Sequence, residues 1–234
     1  FLSEIGVRYT IVDDYHFELA GLDVNNLSGY YTAVDGKNKI NLFPSSKKLR
    51  YIMPFSKAHE VIDYLRSKAT PDGGVALTFG DDGEKFGLWP HTYDWVYNKM
   101  WLENFFTLLE ENSSWIKVKT FSEFIEESKS SGTVDIPTAS YIEMMEWSKG
   151  NFRNFFTKYP ESNDMRNTMF YVSSKVNALS AKKDKLNKPD LKVLDEAKRE
   201  LYKGQCNCAY WHGIFGGIYL GYLRSSIYEK LIIS

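Results

Sequence analysis

A parallel α/β layer followed by a helical unit is the fold this sequence predicts, on three observations. Short apolar runs alternate with helical patterns up to about residue 121, two of those runs end in acidic clusters, and from Ser140 onward only helical periodicity is visible. The strand-like runs are residues 7–12, 40–43, 50–53, 75–79 and 116–121, and their alternation with helices is that of a parallel sheet or barrel.

In the first run, Val7, Tyr9, Ile11 and Val12 lead directly into Asp13-Asp14-Tyr15-His16-Phe17. Residues 58–68 read as a helix lying on a sheet, with Val61, Ile62 and Leu65 on one face and Glu60, Asp63 and Arg66 on the other. Val75, Ala76, Leu77, Thr78 and Phe79, bounded by Asp72-Gly73-Gly74 and Asp81-Asp82-Gly83, read as a strand buried on both faces. Residues 93–111 follow as a helix whose Trp95, Trp101, Phe105, Leu108 and Leu109 make an apolar stripe for the core. A change of character after the loop 129–132 divides the chain into residues 1–130 and 131–234. In the second part Asp190, behind Pro189, reads as the cap of a helix carrying Leu191, Leu194, Ala197 and Leu201; residues 181–189 read as an exposed connector, and 210–233 as a last long helix or helix pair. The apolar stretch 214–223 contains Gly216, Gly217 and Gly221, is too short to span a bilayer, and reads as a tightly packed helix.

The 234 residues are 43% hydrophobic and 16% aromatic, enough for a substantial core. With 29 basic and 30 acidic side chains the formal charge is −1, and no basic cluster stands out; neither a nucleic-acid partner nor a membrane anchor is expected. The chain begins at Phe1 without an initiator Met or a charged-then-apolar leader, which is compatible with processing or with a piece of a longer protein. Cys206 and Cys208 are too closely spaced to bridge, and with His212 fall short of the four ligands of structural zinc, so buried, reduced thiols are expected and no cofactor or metal is.

The chemistry concentrates in Thr78-Phe79-Gly80-Asp81-Asp82-Gly83-Glu84-Lys85-Phe86-Gly87-Leu88-Trp89. Acids at the carboxyl end of a parallel strand stand where barrels keep their chemistry, whereas Asp-Asp-Gly after a strand is also ordinary turn chemistry. Glu84 and the indole of Trp89 in the same loop tip the balance, since carboxylates beside an aromatic platform suit a sugar.

Asp82-Gly83-Glu84-Lys85-Phe86-Gly87 resembles the acid/base motif of glycoside hydrolase family 57, in its 4-alpha-glucanotransferase and alpha-amylase branch. The resemblance extends in order through Val12-Asp13-Asp14-Tyr15-His16-Phe17, Leu49-Arg50-Tyr51-Ile52-Met53-Pro54-Phe55, Ser140-Tyr141-Ile142-Glu143-Met144, Glu146-Trp147-Ser148, Asn154-Phe155-Phe156, Lys158-Tyr159-Pro160-Glu161-Ser162-Asn163, Ala209-Tyr210-Trp211-His212-Gly213 and Phe215-Gly216-Gly217. It departs from the family pattern at Cys208, where aspartate is commoner, and near Arg166, where histidine is typical. It implies the C-terminal part of a (β/α)7-type barrel followed by a helical bundle packing on the barrel rim. It further implies a fragment, because the family's glutamate nucleophile lies on a strand before the segment that begins here, and its terminal β-rich region is likewise not represented; Glu4 does not take the nucleophile's place, and the chain by itself is expected to be inert.

The implied activity is that of a retaining glycoside hydrolase or transglycosylase on α-1,4-glucans or maltooligosaccharides, and a cytoplasmic enzyme is expected. Retention requires two carboxyl groups about 5–5.5 Å apart, one attacking the anomeric carbon and one protonating the leaving oxygen and then activating the acceptor. Asp82 takes the second role. Asp81 and Glu84 are supports, hydrogen-bonding the sugar or holding the loop; Asp13 and Asp14 stand at the same rim as substrate-binding candidates. His16 either meets a sugar hydroxyl or Asp13, or is a satisfied structural group. Trp89 either stacks on glucose or seals the core. Tyr141, Trp147, Trp211 and His212 each read alone as core, and the resemblance implies that they line the far wall of the cleft. Transfer (4-α-glucanotransferase) and hydrolysis (α-amylase) differ only in the acceptor, and a non-catalytic glucan-binding relative is the alternative.

Overall fold

The first acid-tipped run is a strand. In the computed structural model, which describes every residue except Asp72, Pro137 and Phe215, β1 (Tyr9–Asp13), β2 (Tyr31–Asp35) and β3 (Asn38–Ser45) form a three-stranded sheet in the order β1-β3-β2. β1 and β3 are parallel, with Tyr9 opposite Asn41 and Asp13 opposite Ser45. β2 and β3 are antiparallel, with Tyr31 opposite Leu42 and Asp35 opposite Asn38, a hairpin that strand-then-helix alternation does not foretell. The result is a mixed sheet that carries helices, within a unit Phe1–Tyr141; a second compact unit is Ile142–Ser234.

Short helices punctuate the first unit. α1 (Asp14–Leu19) follows β1 directly and buries His16 and Phe17. Phe17 packs with Leu27, Tyr31, Leu42 and Val134 in one core beside the sheet. A second core joins α2 (Lys47–Ile52), α3 (Ala58–Lys68) and α4 (Trp101–Glu111) through Leu49, Ile52, Val61, Ile62, Trp101 and Phe105. The Trp101 indole donates to Ser56 O at 2.6 Å and the Trp95 indole to Pro54 O at 2.7 Å, so the polar end of each buried ring is satisfied.

Three strand readings are corrected. Residues 50–53 are not a strand: Ser46 caps α2, its hydroxyl accepting the Leu49 N–H at 3.3 Å, and Leu49 and Ile52, three apart, share the buried face. Residues 116–121 form no ladder, because Thr120 and Glu123 close a capping box that starts α5 (Phe121–Glu127), and Val118 is exposed. The run 75–79 forms no strand: Thr78 makes an isolated parallel bridge with Ser45, Ala76 O accepts the Gly29 N–H at 2.9 Å, and Val75 is exposed, so it is not a strand buried on both faces. The helix expected over 93–111 is interrupted, one wide turn at Asp94–Asn98 being separated from α4 by Met100 at φ +58°.

The second unit contains α6 (Ile142–Trp147), α7 (Asn154–Lys158), α8 (Pro160–Ser180), α9 (Lys188–Gly204) and α10 (Gly221–Ile233). Met165, Val176, Leu194, Leu201, Tyr210, Ile227 and Leu231 knit α8, α9 and α10 into its main core. The cap of α9 is Asn187, whose side chain accepts the Asp190 N–H at 2.9 Å; Asp190 is a first-turn residue, because Pro189 belongs to that turn and has no N–H to satisfy. Among the described residues of 214–223 there is no single packed helix: one short turn spans Gly217–Tyr219, and the last helix begins at Gly221. Gly216 and Gly217 take φ +93° and +54°, folding the chain back so that the Ile218 N–H donates to Trp211 O at 2.8 Å; the motif residue Phe215 lies outside the described residues, as does Asp72 before Gly73. Cys206 and Cys208 are, against expectation, exposed, since they flank and enter a single turn, Asn207–Ala209, in which Ala209 is the buried residue.

A β-carbon on Gly217 would fall 2.0 Å from Trp211 O. Gly217→Ala is therefore expected to destabilise the helical unit by about 3 kcal/mol, overlap adding to left-handed strain, as a lowered midpoint in urea unfolding followed by circular dichroism.

Candidate active site

The acid loop is tied to the carboxyl end of the sheet by Ser45, the last residue of β3. Its buried hydroxyl donates to Gly80 O at 2.9 Å and accepts the Gly80 N–H at 3.2 Å, while the Ser46 N–H donates to Thr78 O at 2.9 Å. Asp13 ends the neighbouring strand. The expectation that two strands present acids at one rim holds for β1 alone, since 75–79 is not a strand; Arg50, from α2, reaches both acids, with Nη1 3.0 Å from Asp13 Oδ2 and Nε 3.7 Å from Asp81 Oδ2.

Asp81 and Asp82 face different surroundings. The Asp81 side chain is 2% exposed. It accepts from Lys85 Nζ and, through Oδ1, from the Asp82 N–H at 2.8 Å. Lys85 also donates to Arg50 O at 2.8 Å. Asp82 opens the helical turn Gly83–Phe86 and is exposed, its carboxylate making no hydrogen bond or ion pair with the described residues. Its pKa is held above the ordinary 3.8: partial burial of the carboxyl is the largest cause, the anions Asp81 and Glu84 add to it, and the cations Lys85 and Arg50 oppose it. A raised pKa is what a carboxyl needs to carry a proton to a leaving group. Glu84 is exposed, its main-chain oxygen accepting from Leu88 and Trp89 at 2.9 and 3.0 Å. Gly87, at φ +134°, turns the loop where a β-carbon would meet the Tyr97 ring at 2.8 Å.

The other sequence-predicted residues divide. Asp14 accepts the Lys47 N–H at 2.7 Å, placing a carboxylate at the N-terminus of α2. His16 is buried, its Nε2 against the main chain of Ser140, whose N–H lies 3.1 Å away. Trp89 is 38% exposed and stacks on Phe55, itself 50% exposed, at 6.1 Å and 25°. Tyr141 is the last residue of the first unit and is exposed. In the second unit Trp147 and Trp211 stack at 5.4 Å and 12°. There His212 donates from Nδ1 to Gly216 O at 2.8 Å, with its ring edge-on to Tyr159 and Tyr219. Arg166 lies 4.5 Å from the Phe156 ring centroid and donates to Asn163 at 2.8 Å.

Sequence reasoning missed Arg50, Lys85, Ser45 and Phe55. The signal for Lys85 was its place four residues after Asp81; that for Arg50 was hidden by reading 50–53 as a strand. Among the described residues no group of three or more His, Cys, Asp or Glu side chains could hold a metal ion, and no helix is long and apolar enough to cross a membrane. An open depression of about 460 Å³ along α4, lined by Tyr97, Met100, Glu103 and Phe106 among others, includes none of the acid-loop carboxylates.

A loop of carboxylates beside exposed aromatic rings suits sugar chemistry, and comparison with known proteins gives the family. The model of glycosyl hydrolase family 57 matches residues 1–137, and that of the alpha-amylase/4-alpha-glucanotransferase middle domain matches residues 150–234. The chain belongs to glycosyl hydrolase family 57. It is 40% identical to a 4-alpha-glucanotransferase of Thermococcus litoralis, an alignment covering 99% of this chain and 37% of that protein. It is 41% identical to an alpha-amylase of Pyrococcus furiosus, with 99% and 38% covered. The crystal structure of the Thermococcus litoralis 4-alpha-glucanotransferase superposes with a TM-score of 0.83 at 40% identity, covering 99% of this chain and 39% of that one. The chain thus spans less than two fifths of the length of these relatives.

The raised pKa of Asp82 fixes the sign of a stability effect. A folded state that holds a proton more tightly than the unfolded one gains stability below the unfolded value of 3.8, and loses it as pH rises through the higher folded value. Asp82→Asn is therefore expected to be more stable than the unsubstituted chain at pH 7, with the gap closing as pH is lowered towards 3.8 and below; urea midpoints across pH measure it.

Proposed function

We propose that the protein is a retaining enzyme acting on α-1,4-glucans, a 4-α-glucanotransferase in carbohydrate metabolism, with Asp82 as general acid/base. The observation that carries this reading is the acid loop itself: a carboxyl of raised pKa, open to an incoming ligand, on a loop pinned to the end of β3 and linked through Arg50 to the end of the parallel strand β1. In this reading Phe1–Tyr141 contributes to a (β/α)7-type barrel and Ile142–Ser234 is the helical bundle domain. The glutamate nucleophile comes from the part of the relatives' length that this chain does not span.

Catalysis then runs as a double displacement. The nucleophile attacks the anomeric carbon while Asp82 gives its proton to the departing glycosidic oxygen; Asp82, now a carboxylate, takes the proton of the acceptor hydroxyl as that oxygen attacks the glycosyl-enzyme ester. A second glucan as acceptor makes the reaction a transfer, and water makes it a hydrolysis. The relatives' names, 4-alpha-glucanotransferase and alpha-amylase, support both outcomes. Glu84 and Trp89 are proposed to meet sugar directly, Asp81, Asp13 and Asp14 to hold the rim, and His16 to brace it. Tyr141, Trp147, Trp211 and His212 are proposed as further glucan contacts.

In the full-length protein Asp82→Asn is expected to keep maltooligosaccharide binding while turnover falls by about a thousandfold, within the range general acid–base catalysis supplies. Undiminished turnover would assign the acid elsewhere. Product analysis on one maltooligosaccharide separates the outcomes: a ladder of longer and shorter chains means transfer, and steady growth of reducing ends means hydrolysis.

A further inference from the structure

Lys85 is 7% exposed, although lysine is among the residues least often enclosed unless paired. Its ammonium is surrounded by function-bearing neighbours. It donates to the Asp81 carboxylate and, at 2.8 Å, to Arg50 O; it also lies 5.5 Å from the centroid of the Phe55 ring and 5.4 Å from that of Trp89. Asp81 in turn accepts the Asp82 N–H at 2.8 Å. Phe55 and Trp89 stack on each other at 25° yet stay 50% and 38% exposed, an apolar surface beside a carboxylate loop.

We infer that Lys85 is the positioning residue of the glucan site, fixing through Asp81 the loop that carries Asp82 and, through its contacts with both rings, a two-ring platform of Phe55 and Trp89 on which a glucose unit stacks. The inference rests on the glucan-acting reading of the acid loop and adds to it a second platform residue, Phe55, and the cation that registers platform against acid. A cation facing two rings is attracted to the π-clouds of both, more so when desolvated, and an ammonium with three donors can hold a carboxylate and a carbonyl at the same time. Stacking and proton donation are thereby referred to one atom, Lys85 Nζ. The charged groups bearing on Asp82 are Asp81, Glu84 and Lys85 in its own loop and Arg50 from α2, which is itself paired with Asp13 at the end of β1. Lys85 is one of the two cations in this set that lower the Asp82 pKa, so removing it leaves the two anions less opposed.

The Asp82 titration and the Trp89 emission are read on the 234-residue chain, and maltooligosaccharide binding on the full-length protein. The Asp82 carboxyl is titrated by carbon-13 NMR, assigned by its loss in Asp82→Asn, and Trp89 emission is assigned with Trp89→Phe. Lys85→Met is expected to move the Asp82 midpoint upward and to alter Trp89 emission, and Lys85→Arg to restore both in part. Phe55→Leu, a change at a half-exposed ring, is expected to leave the Asp82 midpoint in place while weakening maltooligosaccharide binding about fivefold. A folded Lys85→Met chain with an unmoved midpoint and unchanged emission overturns the inference. Should Lys85→Met fail to fold, Phe55→Leu decides: unimpaired maltooligosaccharide binding overturns the inference, and weakened binding with an unmoved midpoint supports it. If the unsubstituted full-length protein binds no maltooligosaccharide, the glucan reading fails, while midpoint and emission still report on Lys85.

Discussion

The site depends on one enclosed carboxylate shared between two cations. Asp81 lies almost wholly out of solvent, with Lys85 bonded to it and Arg50 nearby, and Arg50 carries the link on to Asp13 at the end of β1. Burying such groups costs several kcal/mol each in lost hydration, and the mutual attraction offsets that only where every member keeps its partners. Two anions and two cations meet that condition together, and none could be removed without leaving an opposite charge uncompensated. The arrangement is therefore a rigid node. It connects a strand end, a helix and a loop that are distant in sequence, and the helical turn carrying Asp82 hangs from it.

What was legible in the sequence follows from which interactions are local. The helix at 58–68 was legible because its apolar face is written at helical spacing, and the strands around residues 7–12 and 40–43 because β-branched and aromatic residues cluster between polar turns. The runs at 50–53, 75–79 and 116–121 misled for a common reason: an apolar run reports burial, and burial alone does not distinguish a strand from a short helix or an extended linker. At 50–53 the deciding residue was the cap Ser46, which lies before the run, and at 116–121 it was the cap Thr120, near the end of the run itself. The hairpin of β2 and β3 carried its own signal in Gly36, which at φ +58° takes the first position of the two-residue turn Gly36-Lys37 between the paired Asp35 and Asn38.

The acid loop was found from sequence, and its supports were not. Acids, glycines and an indole are adjacent in the chain, so their grouping survives without coordinates. Ser45 reaches Gly80 of the loop across 35 residues of sequence, and Arg50 reaches Asp81 across 31. No spacing rule encodes such a contact. The second unit was read as helical and is so, but the reversal at Gly216-Gly217 looked like helix because its apolar residues are enclosed by a turn and not by a helical face.

Adjacent Asp81 and Asp82 show how one residue type is given two tasks. Their difference is geometric before it is electrostatic: the turn that starts at Asp82 leaves the Asp81 side chain pointing towards Lys85 and Arg50, while the next residue is exposed, close to the anions Asp81 and Glu84. Asp81 cannot serve as a proton donor without releasing two cations, so a change in its charge would disturb the node that holds the loop. Asp82 can change charge freely, because it carries no structural bond with its carboxylate among the described residues. A proton-transfer residue must cycle between both forms in each turnover, and only a carboxyl outside the network can do so while the network stays still. The burial of Asp81 is in that sense the condition for the chemistry proposed at Asp82.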